Sequence, residues 1–276
     1  MKATWMKKAL VGSMIVMAVA CAKPSLNYFQ SDAQLISFSS ELGRQMFDES
    51  HTKADFFSLA NQFESQNNKI FCGPTSAAIV LNTLFEDDLR TNRVAVSPDV
   101  QPLLNTDSKY LGKKDELKGI VFNRYTQNNV FLPREASSSI KTRMQVWGGP
   151  IPGQEKADWG FQLKQLDELF KAQGATSTAI VVADDANLNE AKSKIIAALA
   201  DTQSYVVVNY SRKAMGQEGG GHISPIGAYH EPSDSFLVMD VNPNKAGWVW
   251  AKASTLMAAM KTFDTVENRG FLIVSR

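Results

Sequence analysis

The sequence predicts an α+β fold, a helical N-terminal lobe followed by an antiparallel β-sheet lobe, and three observations predict it. Between about residues 40 and 170 apolar residues recur at helical spacing; Ala77, Val80, Leu81, Leu84 and Phe85 fall at i, i+3, i+4, i+7 and i+8. From about residue 178 the pattern changes to short β-branched and aromatic runs such as "TAIVVA", "SYVVVNYS" and "DSFLVMDV". With 276 residues, 44% hydrophobic and 21% charged, the chain is long enough for one domain of two lobes with a cleft between them.

The opening "MKATWMKKALVGSMIVMAVAC" sets Lys2, Lys7 and Lys8 before a 12-residue uncharged run, Ala9 to Ala20, the layout of a secretory signal and short for a membrane span. Ala18-Val19-Ala20 is a small-residue cleavage site, and Cys21 directly after it stands where a bacterial lipoprotein is acylated. The expectation is a leader over 1–20, a lipidated Cys21 as first mature residue, and an exported protein held to a membrane on the periplasmic side. Ala22 next to Cys21 favours the outer membrane in a Gram-negative cell. Ordinary signal cleavage is the alternative, which leaves Cys21 free to form a disulfide with Cys72 and silence it. Without the three leader lysines, 26 basic residues face 28 acidic ones, a formal charge of −2 that argues against a nucleic-acid partner.

Residues 21–33 read as a polar tether with Pro24, and 34–276 as the folded domain. "DAQLISFSSELGRQMFDESH" gives a short apolar segment and a helix capped near Ser39-Ser40. "CGPTSAAIVLNTL" gives a helix with one buried face and Pro74 in its first turn, where the missing N–H would have no intrahelical partner. Pro98, Pro102, Pro133, Pro150 and Pro152 break the region 88–160 into loops and short helices, before "GFQLKQLDELFKAQGA" forms a helix ending at Gly174. Strand "TAIVVA", helix "NLNEAKSKIIAALAD" and strand "SYVVVNYS" follow; then come strands "HISPIGAYH", "DSFLVMDV" and "WVWA", a helix from Ser254, and the closing strand "RGFLIVSR".

Cys72 stands at the mouth of its helix, where half a positive charge and free N–H groups favour a thiolate; the competing reading is a small buried hydrophobe. A thiolate mechanism needs a base, and the chain offers His51, His222 and His230. His222 follows "GQEGGG", whose glycines, Gly221 last, allow close approach of a ligand at the rim of a sheet. His51 reads as exposed at a helix end, and His230, beside the turn Glu231-Pro232-Ser233-Asp234, as a solvated hairpin residue. A hairpin centred on residue 231 sets Asp240 opposite His222, as orienter of the ring or as a plain strand-end residue. Gln66, with Asn67 and Asn68 competing, can join the Cys72 N–H as oxyanion donor. Gln66, Cys72, His222 and Asp240 have the order of a papain-type cysteine enzyme, with 150 residues from Cys to His. Zinc spacing is missing from these residues, so no protein-bound metal is expected.

The blocks "LISFSSELGRQMF", "ADFFSLANQFESQNNKIFCGPTSAAIVLNTL", "VVVNYSRKAMGQEGGGHISPIGAYH" and "FLVMDVN" resemble the phytochelatin synthase family, especially its short bacterial members. The resemblance implies a papain-like fold with the active site in the cleft, and γ-glutamylcysteine dipeptidyl transfer from glutathione through a thioester with release of glycine. It implies Cys72 as nucleophile, His222 as base, Asp240 as its orienter and Gln66 as oxyanion donor. Asp264 and Arg269, in "KTFDTVENRGFLIV", would hold the γ-glutamyl head. Glutathione hydrolysis is expected to dominate, with no cofactor required and cadmium or zinc entering as a glutathione thiolate complex. A homodimer is a further expectation. This chain departs from the family where "DVNPNKAGWVW" puts Pro243 and Ala246 at positions the family fills with Arg and Tyr, which questions the second-substrate side. Two rival functions stand beside this one, a general papain-like peptidase and a non-catalytic lipoprotein that binds glutathione or metal.

Overall fold

The computed structural model describes residues 35–106, 114–134, 140–183 and 187–276. The leader, Cys21 and the tether lie outside the described residues. The described elements are β1 (Leu35–Ser37), α1 (Glu41–Glu49), α2 (Ala54–Asn61), α3 (Cys72–Leu84), α4 (Glu86–Arg90), α5 (Gln101–Thr106), α6 (Lys114–Lys118), α7 (Arg143–Val146), α8 (Leu163–Ala172), β2 (Thr176–Val181), α9 (Leu188–Ala200), β3 (Ser204–Ser211), β4 (Gly221–His230), β5 (Ser235–Val238), β6 (Val249–Lys252), α10 (Ala253–Met260) and β7 (Gly270–Ser275). Helices and one antiparallel sheet make the expected α+β arrangement, and the described parts of 88–160 are loops and short helices, as predicted.

The seven strands lie in the order β1-β6-β5-β4-β3-β7-β2, each pair antiparallel. Period-two side-chain alternation divides the apolar residues between two cores. Val207, Ile223, Leu237 and Leu272 face α3 and α8; Val206, Val208, Ile226 and Phe271 face α9 and α10. The helical and sheet halves of the sequence are therefore not separate: β1, from the N-terminal half, closes the edge beside β6. Ser40 caps α1 as expected, its hydroxyl accepting the Gly43 N–H at 2.9 Å.

The prediction of a single buried face on α3 is corrected: residues 72–83 are buried on every side. Its polar residues are satisfied internally, as burial demands. Asn82 exchanges two 2.8 Å hydrogen bonds with the backbone of Tyr125, and the Thr83 hydroxyl donates to the Ile79 carbonyl.

Strand register decides which side chains share a face with His222. The β4–β5 hairpin pairs His230 with Ser235, Tyr229 with Phe236 and Ala228 with Leu237, but then Ile226 with Val238, because one residue, Gly227, bulges out. Without the bulge, the register continues to set Asp240 opposite Pro225, on the wrong face for His222; with it, Asp240 falls opposite Ser224, a diagonal neighbour of His222 on the same face. The Met239 N–H to Pro225 carbonyl bond of 3.0 Å keeps that shifted register past the end of β5. The expected direct opposition of residues 222 and 240 is thus replaced by a diagonal one. A Cβ at Gly227 would come within 2.6 Å of the Met239 sulfur, so the bulge has little room for a larger residue.

Candidate active site

Cys72 is the first residue of the 13-residue helix α3, and His222 the second residue of β4. Both elements are fixed by what surrounds them, and the Ser76 hydroxyl, one turn into α3, donates to the Ile223 carbonyl to hold helix and strand together. Asp240 follows β5 and accepts a 2.9 Å hydrogen bond from His222 Nε2, leaving Nδ1 for the thiol. Cys72 carries a free thiol. Burial pushes that thiol up, but the His222 ring, its charge, and backbone bonds with Ile223 and Gly73 outweigh burial, so the thiol titrates below its ordinary range. Burial likewise pulls His222 down, and bonds with Asp240 and Cys72 reverse this, so the ring titrates above its ordinary value. The two directions together favour a thiolate–imidazolium pair.

Asp240 is held more firmly than the sequence suggested. Besides His222, it takes two 2.8 Å contacts from the Arg212 guanidinium, a 3.2 Å hydrogen bond from the Tyr210 hydroxyl, and the Asn242 N–H at 2.8 Å. Burial raises the Asp240 carboxyl, and His222 and Arg212 more than offset it, so the group titrates below the usual carboxylate range. Arg212 and Tyr210 were missed in the sequence. Their signal was period two on a buried strand: Tyr210 pairs with His222 across β3 and β4, and Arg212 stands two residues on, on the same face.

A cavity of about 210 Å³ opens at Cys72 and is lined by His222, Gly221, Lys69, Trp159, Asp264 and Arg269, among others. Arg269 Nη2 bonds Asp264 Oδ1 at 2.9 Å, while Nη1 reaches the Phe263 carbonyl at 2.6 Å and the Thr262 hydroxyl at 3.1 Å. The buried Nε of Arg269 has no hydrogen-bond partner among the described residues. Gly221 serves this pair: a Cβ there would come within 2.9 Å of Arg269 Nη2. The structure therefore brings five of the predicted residues, Cys72, His222, Gly221, Asp264 and Arg269, around one cavity, with Asp240 behind the histidine.

Gln66 is placed differently. Its backbone N–H bonds the Val241 carbonyl at 2.8 Å, so it lies beside the Asp240 segment, but it does not line that cavity. Its side-chain Nε2 donates to the Asn68 carbonyl at 2.6 Å, and its buried Oε1 has no partner among the described residues. Asn67 and Asn68, the competing donors, bond one another and the loop. His51 is exposed as expected, whereas His230 is fully buried, bonded to Ser233 Oγ at 2.7 Å and Glu49 at 3.4 Å. The expected solvated hairpin histidine is a correction: α1 packs over the turn and covers it.

The family model for phytochelatin synthase matches residues 28–98 and 115–271. The chain belongs to the phytochelatin synthase family. Among curated proteins it is 24% identical over 246 residues to glutathione gamma-glutamylcysteinyltransferase 3 of Lotus japonicus, covering 87% of this chain and 42% of that protein. The Triticum aestivum glutathione gamma-glutamylcysteinyltransferase 1 is 26% identical over 251 residues, 87% of this chain and 40% of the relative. The Schizosaccharomyces pombe glutathione gamma-glutamylcysteinyltransferase is 23% identical over 262 residues, 93% of this chain and 53% of the relative. The chain thus spans about half or less of the length of these curated relatives.

Proposed function

We propose that this phytochelatin synthase family member is a papain-like γ-glutamylcysteine dipeptidyl transferase that cleaves glycine from glutathione, chiefly as a hydrolase. The observation that carries the reading is the Cys72–His222–Asp240 chain opening onto a cavity that holds two cations and one anion, Lys69, Arg269 and Asp264. Glutathione carries the complementary set, two carboxylates and one ammonium. A neutral peptide has no use for the Arg269–Asp264 pair, which suits an α-carboxylate beside an α-amino group.

In the proposed mechanism His222 holds the proton taken from Cys72, and Sγ attacks the Cys-Gly carbonyl. The oxyanion is held by N–H groups at the start of α3, with the Gln66 amide as second donor once its bond to Asn68 is exchanged for the substrate. Imidazolium then gives its proton to the departing glycine nitrogen, leaving γ-glutamylcysteine on sulfur as a thioester. Water, deprotonated by His222, releases it; an amine acceptor would give transfer instead. Cadmium or zinc enters this scheme as a glutathione thiolate complex, a form of substrate. A lipidated Cys21, anchorage on the periplasmic side and a homodimer complete the proposal.

Mass spectrometry of the reduced protein incubated with glutathione tests it. Glycine, γ-glutamylcysteine and a dipeptide adduct on Cys72 are the expected products, and Cys72→Ala should lower glycine release by at least about 10⁴-fold. Glycine release that survives in Cys72→Ala would sink the scheme. Equal turnover of peptides lacking a γ-linked Glu would favour a general peptidase.

A further inference from the structure

We infer that Lys69 binds the carboxylate of the departing glycine, so that donors must end in a free carboxylate directly after the cysteine; the inference rests on the proposed thioester chemistry. The cavity at Cys72 has two walls of different origin. Asn209, Gly221, Asp264 and Arg269 come from β3, β4 and the chain before β7, whereas Lys69, Ile70 and Cys72 come from the start of α3 and the turn before it. The lining residues Trp159, Gly160 and Phe161 pack on the second wall. A Cβ on Gly160 would lie 3.8 Å from the Ile70 carbonyl, and one on Gly73 would lie 3.0 Å from the Phe161 ring.

Charge separates the two walls. On the first, Arg269 and Asp264 meet at 2.9 Å, and Asn209 Nδ2 donates to the other Asp264 oxygen at 3.3 Å. Such a pair suits a head whose ammonium and carboxylate share one carbon. On the second wall Lys69 is the one cation; it is exposed, and no described residue bonds its ammonium. Its backbone is nonetheless held in place. Asn68 Oδ1 accepts the Ile70 N–H at 3.0 Å, the Asn68 carbonyl accepts Gln66 Nε2 at 2.6 Å, and Phe71 and Cys72, which follow, are buried.

The bonding of glutathione then decides which carboxylate each cation takes. The glycine carboxyl carbon is two bonds from the nitrogen that departs as the thioester forms, so its counter-ion has to come from chain close to the thiol. Lys69 stands three residues before Cys72. The γ-glutamyl carboxylate, at the far end of the tripeptide, goes to Arg269. The difference in burial fits the order of events: buried Arg269 holds the acyl part that stays on sulfur, and exposed Lys69 holds the part that leaves. An ammonium at a wet rim binds a carboxylate as a point charge and releases it readily. Lys69 exchanges no proton in this step.

The test mixes glutathione with glutathione amide, whose glycine carboxylate is replaced by a neutral carboxamide, and counts the glycine and glycinamide released. Competition in one reaction reads the ratio of the two kcat/KM values, which does not depend on how much enzyme folds. The wild-type preference for glutathione should fall with added salt, because an exposed charge pair is screened. Lys69→Ala should lower the low-salt preference about fivefold, and Lys69→Glu should lower it further by repelling the carboxylate. Dividing each variant's ratio by that of the wild type cancels the intrinsic difference between the two leaving groups. A wild-type preference insensitive to salt, or one unchanged in both variants, would overturn the role of Lys69 while γ-glutamylcysteine still forms. Absence of both glycine and glycinamide from the wild-type reaction would instead overturn the thioester reading, and the role of Lys69 with it.

Discussion

Two buried histidines sit near opposite ends of β4, and each joins a nucleophilic side chain to a carboxylate. His222 links Cys72 to Asp240, and His230 links Ser233 to Glu49. Their environments separate them. Asp240 is fully buried and clamped by Arg212, whereas the Glu49 side chain is 38% exposed, with its charge screened by water. Burial pulls both rings down, but only at His222 do the partners outweigh it; His230 stays below its ordinary value despite Glu49. Cys72 also opens a 13-residue helix and lines a cavity, whereas Ser233 lies in a covered turn. A nucleophile, a histidine and an acid in a row are therefore not sufficient for a site; a fixed charge behind the ring and an open space before it make the difference.

The most direct way to break this contrast is to make Asp240 resemble Glu49. Asp240→Asn keeps the shape but removes the charge that holds His222 protonated, so kcat/KM should fall about 10²- to 10⁴-fold. The pH profile carries the diagnostic part. Cys72 is lowered and His222 raised, so the wild-type plateau rises at a pH below the ordinary thiol range and falls above the ordinary histidine range, with both limbs belonging to the coupled pair. In Asp240→Asn the alkaline limb should move to lower pH. A lower rate with both limbs in place would show that Asp240 acts through structure alone.

Arg212 sharpens the comparison at a smaller scale. Arg212→Lys keeps the charge but loses the two-pronged contact to Asp240, and kcat/KM should fall about tenfold, with KM for glutathione little changed. A KM increase of the same size with kcat intact would place Arg212 in substrate binding instead. The depressed Asp240 carboxyl also gives a stability signature. Its contribution is complete above the unfolded carboxylate value and is lost as pH falls through the lower folded value, so Arg212→Lys should unfold at a higher pH on acid titration.

How far these features were legible follows from the range of the interactions involved. Cys72 could be found because helix geometry and Pro74 are local signals, and His222 because a glycine run precedes it. A hairpin centred on residue 231 predicts the contact between His222 and Asp240, but not the bulge at Gly227. A one-residue shift leaves no mark on the hydrophobic pattern until the partner strand is known, yet it decides which face Asp240 takes. Arg212 and Tyr210 were readable by strand alternation, but only once β3 had been paired with β4. His230 was misread because its cover, α1, comes from 181 positions away, and a turn sequence does not reveal what packs on it. The all-round burial of α3 was hidden for a related reason, since Thr75, Ser76, Asn82 and Thr83 look like a polar face until their partners are in place.

The smallest expected effect on catalysis comes from the other histidine. His230→Gln removes a buried ring bonded to Ser233 and Glu49, which ties α1 to the β4–β5 turn, so unfolding free energy should drop by about 1–3 kcal/mol at neutral pH with kcat/KM within about twofold. The pH dependence fixes the interpretation. Because His230 is depressed in the folded protein, the unfolded chain takes up more protons once pH falls below the ordinary histidine value, and stability declines from there through the lower folded value. Glutamine has no such proton to take up, so the gap between wild type and variant should narrow on acidification, as measured by denaturant unfolding at several pH values. A gap that widens on acidification would mean that protonated His230 is stabilised by Glu49, and the two ends of β4 would then be alike in charge and differ only in access.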